Sequence, residues 1–511
     1  MNPDTETELK LRVPPEAARR IRAHPLLRGR VRPVVRKLHS IYFDTPGLDL
    51  WQQGVALRLR RSGGHWLQTV KGGGTVQAGL HERVEIETEV AGPYPDCTRI
   101  AEGALTRIFA SRELRAQLKP VFVTEFSRSS RLIELTPGVA VEVSMDRGEI
   151  KSGDVAEPVC ELELELKSGS AWQLYEFALK LLEAVPLRVE NRSKAERGYA
   201  LFRGERPAPA KASTAALAAD MTVSVAFKTI AWTTLNHLQA NEHGMLEGRD
   251  PEYLHQMRVA LRRLRSVFSV FAAVLPETTT EPLVAEFRWL GGALSPARDW
   301  DVFVSETLPP IREAFAEHAA LAQFARECAR LRREANRKAR RAVASVRYER
   351  LVLDFAAWLA AEKWVSEAAE TPLATPGSPA REFAAVVLER RYARVRKRGR
   401  KLRQLSAAEL HRLRIAVKKL RYAMDFLVTL FAAKRARDML SHLARLQNIL
   451  GAMNDAAAVE RLVHDAFGAR AGRATSEARG IVLGWSHGRA LTLRRELRGA
   501  WKAFRAAEIF W

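Results

Sequence analysis

Cysteine and long hydrophobic runs are both scarce in this chain. Only three cysteines, Cys97, Cys160 and Cys328, occur among 511 residues. They are too few and too scattered for a disulfide framework or a thiolate metal site, which predicts a protein of the reducing cytoplasm. No stretch of about 18 apolar residues appears, and Met1–Glu6 lacks the basic and apolar regions of a secretory signal. We therefore expect neither an export signal nor a transmembrane span.

Acidic residues are in deficit, and the deficit is uneven along the chain. Lys and Arg number 82 against 59 Asp and Glu, which gives a formal charge of +23 and a pI near 10.3. Residues 1–200 hold 30 basic and 27 acidic side chains, whereas residues 201–511 hold 52 and 32. A strongly basic surface attracts polyanions, so the predicted partner is a phosphate polymer. The hydrophobic share of 47% excludes wholesale disorder, and the length predicts two or three domains.

Short runs of alternating apolar and polar residues punctuate residues 1–202 and predict β-strands. The runs are Thr5–Val13, Val55–Arg61, Trp66–Lys71, Arg83–Val90, Phe122–Phe126, Val139–Met145 and Cys160–Lys167. Turn signals at Ser62–Gly64, Gly72–Gly74 and Thr136–Gly138 separate several of them. This rhythm is typical of an antiparallel meander or barrel.

The composition changes after the Pro- and Ala-rich segment Arg206–Lys211, so we predict a linker over residues 203–214. Residues 215–511 are rich in Ala, Leu and Arg with a period of about 3.6 residues, which predicts an all-helical domain. A second Pro-rich break, Thr371–Pro379, predicts two helical bundles over about residues 215–370 and 380–511.

The two predicted bundles share a motif. The sequence HQMRVALRRLR, which begins at His255, returns 156 residues later as HRLRIAVKKLR, which begins at His411. Leu290–Asp299 and Leu446–Asp455 match at the same offset without a gap. A chance similarity would not keep this register, so the helical domain is predicted to be a duplicated unit.

Charged residues share single faces of the predicted strands. Period 2 places Glu6, Glu8 and Lys10 on one face, and it places three carboxylates opposite three leucines in Glu161–Lys167. A closed barrel with a charged interior suits a ligand that carries both a metal and several negative charges, such as a triphosphate with a divalent cation. Carboxylates suit Mg²⁺ or Mn²⁺, and Arg and Lys would bind the remaining phosphate oxygens.

An ordered set of motifs in residues 1–202 resembles the CYTH superfamily, the triphosphate tunnel metalloenzymes. The motifs are Glu6-x-Glu8-x-Lys10, Tyr42–Pro46, Ala56–Arg60, Gln68–Gly72, Asp146–Gly148 and Glu161–Gly169. The resemblance implies an eight-stranded antiparallel barrel that forms a tunnel, so the predicted fold class is α+β with two domains. It also implies hydrolysis of triphosphate to diphosphate and phosphate by metal-assisted attack of water, without a covalent nucleophile.

The CYTH resemblance also assigns the site residues. Glu6, Glu8 and Lys10 would be catalytic, and Mg²⁺ or Mn²⁺ would be held by Glu6 and Glu8 with carboxylates from Glu161, Glu163 or Glu165. Alternation does not choose among the last three, because they share a face. The implied basic ligands of the triphosphate are Lys10, Arg58, Arg60, Lys71, Arg83, Arg128 and Lys194.

The repeated helical motif places cations three and four residues apart, which makes a basic stripe along each helix. The motif resembles the CHAD domain, which often follows a CYTH domain in bacterial proteins and whose family is associated with inorganic polyphosphate. The implied polyphosphate-binding residues are His255, Arg258, Arg262, Arg263 and Arg265, with His411, Arg414, Lys418, Lys419 and Arg421. The second copy departs from the first at Asn454 and Ala457, where the first has Arg298 and Asp301.

These features predict a cytoplasmic inorganic triphosphatase joined to a helical domain that would localise it to polyphosphate granules. Two alternatives remain open: a polyphosphate-binding protein without activity, and a CYTH enzyme acting on thiamine triphosphate or a nucleotide, adenylate cyclase included. Nucleic acid is a rival partner, because the run Arg390–Lys401 is typical of DNA or RNA binding. The motif stripes, however, lack interleaved aromatic residues for base stacking.

Overall fold

The computed structural model describes residues 5–28, 32–100, 105–205, 207–248, 250–367, 374–431, 433–467 and 472–511. The chain forms two compact units. The first comprises Met1–Ala208 and Val346–Ala361, and the second comprises Pro209–Ser345 and Glu362–Trp511. The predicted linker, residues 203–214, thus contains the division. The first unit also includes one helix from the region that the sequence predicts as the helical domain.

A closed antiparallel barrel forms the first unit. Its strands are β1 (Thr5–Arg12), β2 (Val34–Asp44), β3 (Val55–Ser62), β4 (His65–Gln77), β5 (Leu80–Val90), β6 (Lys119–Thr136), β7 (Val139–Ser152) and β8 (Val155–Ser168), with a short β9 (Arg188–Val189). They follow the order β5-β4-β3-β2-β6-β7-β8-β1, and β1 also pairs with β5, which closes the ring. The predicted eight-stranded barrel is therefore confirmed.

The strands differ from the sequence prediction in two places. The prediction missed β2, because the first half of this strand has no alternation and residues 34–37 are all exposed. The predicted turn at Gly72–Gly74 is instead a bulge inside β4, where the register against β5 shifts. Gly74 has a φ of +92°, and a Cβ there would lie 1.8 Å from the Glu82 carbonyl oxygen. The glycines therefore permit a close approach of β4 to β5, and the chain does not reverse here.

The helices follow in chain order. They are α1 (Ala18–Ala23), α2 (Asp49–Gln52), α3 (Arg112–Gln117), α4 (Trp172–Leu182), α5 (Lys194–Arg203), α6 (Val223–Ala240), α7 (Glu242–Glu247), α8 (Pro251–Phe271), α9 (Glu277–Val302), α10 (Leu308–Ala314), α11 (Ala319–Val343), α12 (Val346–Ala361), α13 (Lys363–Glu367), α14 (Ala380–Gly399), α15 (Ala407–Leu427), α16 (Ala433–Phe467) and α17 (Arg473–Ala506). A π-helical turn, Phe303–Thr307, joins α9 to α10.

Two helices of the first unit matter for the barrel interior. Helix α5 begins with a capping box, in which Ser193 and Glu196 satisfy each other's backbone N–H groups, and Lys194 is its first residue. Helix α12 packs against α4. Its buried Glu349 accepts a hydrogen bond from the Val189 N–H at 3.2 Å, which ties α12 to β9.

The second unit is helical and its elements repeat. Helices α15 and α16 each begin 156 residues after α8 and α9, the offset of the sequence motifs. Just before α6 and α14, Thr222 and Pro379 form an antiparallel bridge, which joins the two repeats. In the part of the chain that the structure describes, no helix is long and apolar enough to cross a membrane.

Candidate functional site

A cavity of about 280 Å³ lies inside the barrel. Strand alternation explains its charged wall: Leu9 and Leu11 of β1 are fully buried on the opposite face from Glu8 and Lys10. The charged residues that line it are Glu6, Glu8, Lys10, Arg58, Arg60, Lys71, Arg83, Glu85, Glu87, Arg128, Glu163, Glu165, Lys167 and Lys194. The cavity thus brings together every basic residue that the sequence assigned to triphosphate, and every assigned carboxylate except Glu161.

Glu163 is at the centre of the cationic side of the cavity. Its carboxylate lies 2.8 Å from the Lys10 Nζ and 2.7 Å from the Lys194 Nζ, and it also pairs with Arg128. Burial alone would raise the pKa of Glu163, but the three cations outweigh it and hold the pKa well below its usual range. Glu163 is therefore negatively charged and holds Lys10, Lys194 and Arg128 close together.

Two further buried carboxylates, which do not line the cavity, form ion pairs with these cations. Asp146 has no exposed surface and accepts two hydrogen bonds from Arg128, at 2.7 and 2.6 Å, while Lys194 Nζ lies 2.9 Å away. Glu161 is also fully buried, 2.7 Å from Lys194, and it pairs with Arg197. The structure therefore places Glu161 behind the cavity wall, where it positions Lys194.

The opposite wall carries a second group of cations. Lys71 Nζ lies 2.5 Å from Glu6 and 2.9 Å from Glu85, and an Arg58 amino group donates to the Thr69 hydroxyl at 3.0 Å. Arg60 differs, because burial and the charges of Arg58 and Arg128 lower its pKa to about 10. Positive charge is therefore in excess around Arg60, which favours an anion at this point.

Glu85, Glu87 and Lys167 line the cavity, although they were not predicted as site residues. The first two follow Arg83 at period 2 in β5, and Lys167 follows Glu165 at period 2 in β8. Extending the alternation along these two strands would have found all three. Arg83 itself lies at the margin of the group, where its guanidinium is 3.1 Å from Glu196 of α5.

The carboxylates on the β1 side are the candidate metal ligands. Glu8 lies opposite Glu165 in the β1–β8 register, and Glu6 is next to them on the same face of β1. Burial raises the pKa of Glu165; Lys167 opposes this, whereas Glu6 and Glu142 raise it further. A divalent cation would relieve this crowding of negative charge.

The arrangement of these carboxylates suits a divalent cation that enters the cavity already bound to phosphate. Among the residues described in the structure, no three His, Cys, Asp or Glu side chains converge closely enough to hold an ion by themselves. Mg²⁺ is usually bound by one or two carboxylates together with phosphate oxygens and water, rather than by a complete protein cage. Glu6, Glu8 and Glu165 are therefore candidate ligands, of which one or two would bind Mg²⁺ or Mn²⁺ together with phosphate oxygens.

A second charged cavity, of about 460 Å³, lies in the helical unit. Its lining includes His255, Arg258, Arg262, Arg298, Asp299, Arg414, Lys418, Asn454, Asp455 and Arg461. Burial and the charges of Arg262, Arg414 and Arg258 lower the pKa of Lys418 to about 7. Burial and Arg298 lower the pKa of His255 to about 4. The lining of the helical cavity thus sets six cations against three carboxylates, Asp299, Glu306 and Asp455, and a polyanion would relieve this excess of positive charge.

Half of the residues assigned to polyphosphate line the helical cavity: His255, Arg258, Arg262, Arg414 and Lys418. The others lie elsewhere. His411 bonds to Asn454 at 2.8 Å, Arg263 donates to the Ser213 carbonyl oxygen at 2.9 Å, and Arg421 is 3.8 Å from Asp425. Arg265 and Lys419 are exposed and outside the cavity lining. Arg298 and Arg461, which line the cavity, had not been assigned to the site.

Comparisons with known proteins agree with this architecture. The CYTH domain family matches residues 4–199, and the CHAD domain family matches residues 229–464. An inorganic triphosphatase of Haemophilus influenzae is 32% identical over 165 residues, which is 32% of this chain and 46% of that relative, so the match spans less than half of the relative's length. The crystal structure of the CHAD domain from the plant Ricinus communis is 35% identical and covers 59% of this chain and 99% of its own, with a TM-score of 0.51. This chain therefore contains a CYTH domain, residues 4–199, followed by a CHAD domain, residues 229–464.

Proposed function

We propose that the CYTH domain hydrolyses inorganic triphosphate with Mg²⁺ or Mn²⁺, and that the CHAD domain binds polyphosphate. The observation that carries the first part is the barrel cavity, whose wall combines eight cations with six carboxylates. The matched segment of the Haemophilus influenzae inorganic triphosphatase supports the same activity. A triphosphate with a bound divalent cation supplies both the negative charges and the positive charge that such a wall would bind.

Arginines from two nearby strands would bind the triphosphate. Arg58 and Arg60 lie on β3, whereas Arg128 lies on β6, and all three line the cavity. Guanidinium groups form strong charge-assisted hydrogen bonds to phosphate oxygens. Asp146 and Glu163 already fix the orientation of Arg128, so little side-chain entropy is lost when it binds phosphate.

Hydrolysis requires a new bond between a water oxygen and the terminal phosphorus. The bridging P–O bond breaks, diphosphate leaves with its electron pair, and the proton lost by water passes to solvent. Lys10, Arg128 and Lys194 would stabilise the negative charge that develops on the phosphoryl oxygens. When bound by one or two of Glu6, Glu8 and Glu165, Mg²⁺ or Mn²⁺ would neutralise phosphate charge and polarise the phosphorus.

The aromatic residues of the cavity favour an inorganic substrate over a nucleotide. Tyr42 and Phe126 are its aromatic lining residues within the described chain. Tyr42 stacks on Phe122 with ring centroids 4.4 Å apart, and Phe126 has Arg128 and Lys194 above its ring, at 5.7 and 5.2 Å from the centroid. Both rings are also nearly buried, so little of either is open to a stacking base.

The test is phosphate release from tripolyphosphate, ATP, thiamine triphosphate and long-chain polyphosphate in Mg²⁺ or Mn²⁺. We expect tripolyphosphate to be the best substrate by at least tenfold in kcat/KM. Arg58→Gln should lower that value by about 10- to 100-fold, whereas the matched control Arg61→Gln, at an exposed position on the outer face of the same strand, should not. A preference for an organic triphosphate, or equal effects of both variants, would overturn the assignment.

The CHAD domain proposal needs its own test. The helical cavity contains cations from both repeats, Arg258 and Arg262 of α8 with Arg414 and Lys418 of α15. We expect Arg258→Gln/Arg414→Gln to weaken binding of long-chain polyphosphate at least tenfold, measured by calorimetry on the full chain. The control Arg333→Gln/Arg337→Gln removes the same charge from exposed positions of α11 and should bind normally. Equal affinity of the two variants would contradict the proposal.

A further inference from the structure

Helix α12 contributes a buried carboxylate to the first unit. The helix lies within the residues that match the CHAD domain family, but it belongs to the compact unit of the barrel and packs against α4. Its other buried residues are apolar or aromatic, whereas Glu349 is only 2% exposed and carries a carboxylate. Burial of a carboxylate is costly unless cations and hydrogen-bond donors compensate it. Glu349 therefore depends on specific partners, and β9 provides two of them.

The contacts of Glu349 hold the outer edge of β9. The Val189 N–H donates to the Glu349 carboxylate at 3.2 Å, and the Arg188 Nε lies 3.3 Å from it. Strand β9 has only two residues and pairs with β1, where Val189 is opposite Leu11 and Arg188 is opposite Arg12. In the part of the chain that the structure describes, no other strand pairs with β9. Glu349 thus accepts the hydrogen bond that a further strand would otherwise accept.

The residues after β9 hold the backbone of Lys10. The Glu190 N–H donates to the Lys10 carbonyl oxygen at 3.0 Å. The Lys10 N–H donates to the Gly79 carbonyl oxygen at 2.9 Å, and the Gly79 N–H donates to the Asn191 side chain at 2.8 Å. A Cβ on Gly79 would lie 2.8 Å from the Val189 side chain and 2.9 Å from the Lys10 carbonyl oxygen, so these backbones are closely packed. Both backbone polar groups of Lys10 are therefore fixed by contacts next to β9.

The same segment continues into helix α5 and places Lys194 in the cavity. Ser193 caps the helix, and Lys194 is its first residue. The Lys194 and Lys10 Nζ atoms lie 2.7 and 2.8 Å from the same carboxylate oxygen of Glu163. Both lysines line the barrel cavity. The segment Arg188–Lys194 thus determines the positions of two cations that would contact triphosphate.

We propose that Glu349 is a positioning residue for triphosphate hydrolysis and acts through β9 on Lys10 and Lys194. This inference rests on the proposed triphosphatase function, and it makes the activity of the barrel depend on a helix from the region that matches the CHAD family. Glu349 does not line the cavity, so its effect is transmitted by the backbone of β9. Because a displacement of reacting groups by about 1 Å can lower a rate about 100-fold, loss of this contact should reduce turnover while the cavity wall keeps its composition.

Steady-state kinetics on the full-length protein tests the role of Glu349. Glu349→Leu removes the charge and the acceptor, whereas Glu349→Gln keeps an acceptor for the Val189 N–H. We expect kcat/KM for tripolyphosphate to fall about tenfold in Glu349→Leu and less than threefold in Glu349→Gln. The matched control Glu183→Leu removes an exposed carboxylate at the end of α4 and should keep the wild-type value. Wild-type kinetics in folded Glu349→Leu would overturn the inference.

A double-mutant cycle separates positioning from a general loss of stability. If Glu349 acts partly through Lys194, adding Glu349→Leu to Lys194→Met should lower kcat by less than about threefold, compared with about tenfold in the wild-type background. A tenfold loss in both backgrounds would contradict this path. Should Glu349→Leu fail to fold, Arg188→Met removes the cation on the other side of the ion pair and takes its place in the cycle.

Amide hydrogen exchange tests the structural contact independently of turnover. In Glu349→Leu, exchange should accelerate at least tenfold in residues 188–194, whereas β6 and β7 should keep their wild-type protection. Unchanged exchange of β9 would overturn the inference, because Glu349 would then not hold this strand. The affinity for long-chain polyphosphate should also be unchanged, since Glu349 does not line the helical cavity. Absence of tripolyphosphate hydrolysis by the wild type would instead refute the proposed function.

Discussion

Asp146 shows at the scale of single residues how buried charge organises the barrel cavity. It is fully buried between Arg128 and Lys194, and its charge offsets both. Asp146→Asn would leave these cations undercompensated, so we expect a loss of about 3 kcal/mol in the free energy of unfolding and a severalfold higher KM for tripolyphosphate. Urea unfolding and steady-state kinetics measure the two effects. The control Asp154→Asn, at an exposed position in the turn between β7 and β8, should change neither. An unaltered KM in Asp146→Asn would contradict the positioning role.

Lys418 predicts a pH dependence of polyphosphate binding. Its pKa is lowered to about 7 by burial and by Arg262, Arg414 and Arg258, which Asp455 opposes only weakly. At pH 8 Lys418 is therefore mostly neutral, and phosphate would restore its charge, so binding should take up about one proton. At pH 6 the residue is already charged and the uptake should vanish. Calorimetry in buffers of different ionisation enthalpy measures this number. Uptake that persists at pH 8 in Lys418→Arg would show that another group titrates.

The inward-facing residues of the barrel were predictable, but their individual roles were not. Period 2 placed Lys10, Arg58 and Glu163 on the charged faces of their strands, and the resemblance to the CYTH superfamily predicted that these faces point inward. All three line the cavity. The same period could not separate Glu161 from Glu163, because Arg197 of α5 determines which one is withdrawn from the cavity. In the helical unit, the helical period placed Arg265 on the basic stripe of α8, about one turn beyond Arg262. In the structure, Arg265 lies outside the cavity lining. Helical spacing does not reveal where a partner helix crosses.

At the scale of elements, helix α5 must approach the barrel closely to deliver its cations. Gly198 makes this contact possible, since a Cβ there would lie 2.1 Å from the Phe122 ring. Gly198→Ala should displace the helix that carries Lys194, raise the KM for tripolyphosphate severalfold and lower the free energy of unfolding by about 1–3 kcal/mol. The second-site change Phe122→Leu should recover part of both losses by making space. Wild-type kinetics in Gly198→Ala would contradict this dependence on close packing.

Sequence patterns predicted strands and helices well where one face of the element is apolar. They predicted poorly where contacts with other elements determine the structure. Seven of the strands showed alternation, whereas β2 did not, because its first four residues are all exposed. Helix α12 has the apolar period of a bundle helix, and that period does not specify its packing against α4 of the first unit. Glu349 of α12, bonded to Val189, is the polar contact that fixes this assignment.

At the scale of the whole molecule, the two domains should respond differently to metal removal. The barrel cavity has carboxylates that need a divalent cation to approach phosphate, whereas the helical cavity has an excess of Arg and Lys that attract phosphate directly. EDTA should therefore abolish triphosphate hydrolysis and change the affinity for long-chain polyphosphate by less than twofold. Phosphate release and calorimetry on the same preparation measure the two effects. A tenfold loss of polyphosphate affinity in EDTA would contradict the division of charge between the domains.

The most direct test of metal-dependent hydrolysis in the barrel is the rate of tripolyphosphate hydrolysis by Glu6→Gln and Glu8→Gln in saturating Mg²⁺ or Mn²⁺. Both residues line the barrel cavity, and Glu134→Gln, at an exposed position of β6, is the matched control. We expect kcat to fall at least 100-fold in each of the first two variants while the control retains the wild-type rate. Wild-type turnover in Glu8→Gln, or hydrolysis that EDTA leaves intact, would contradict a metal-dependent triphosphatase in this barrel.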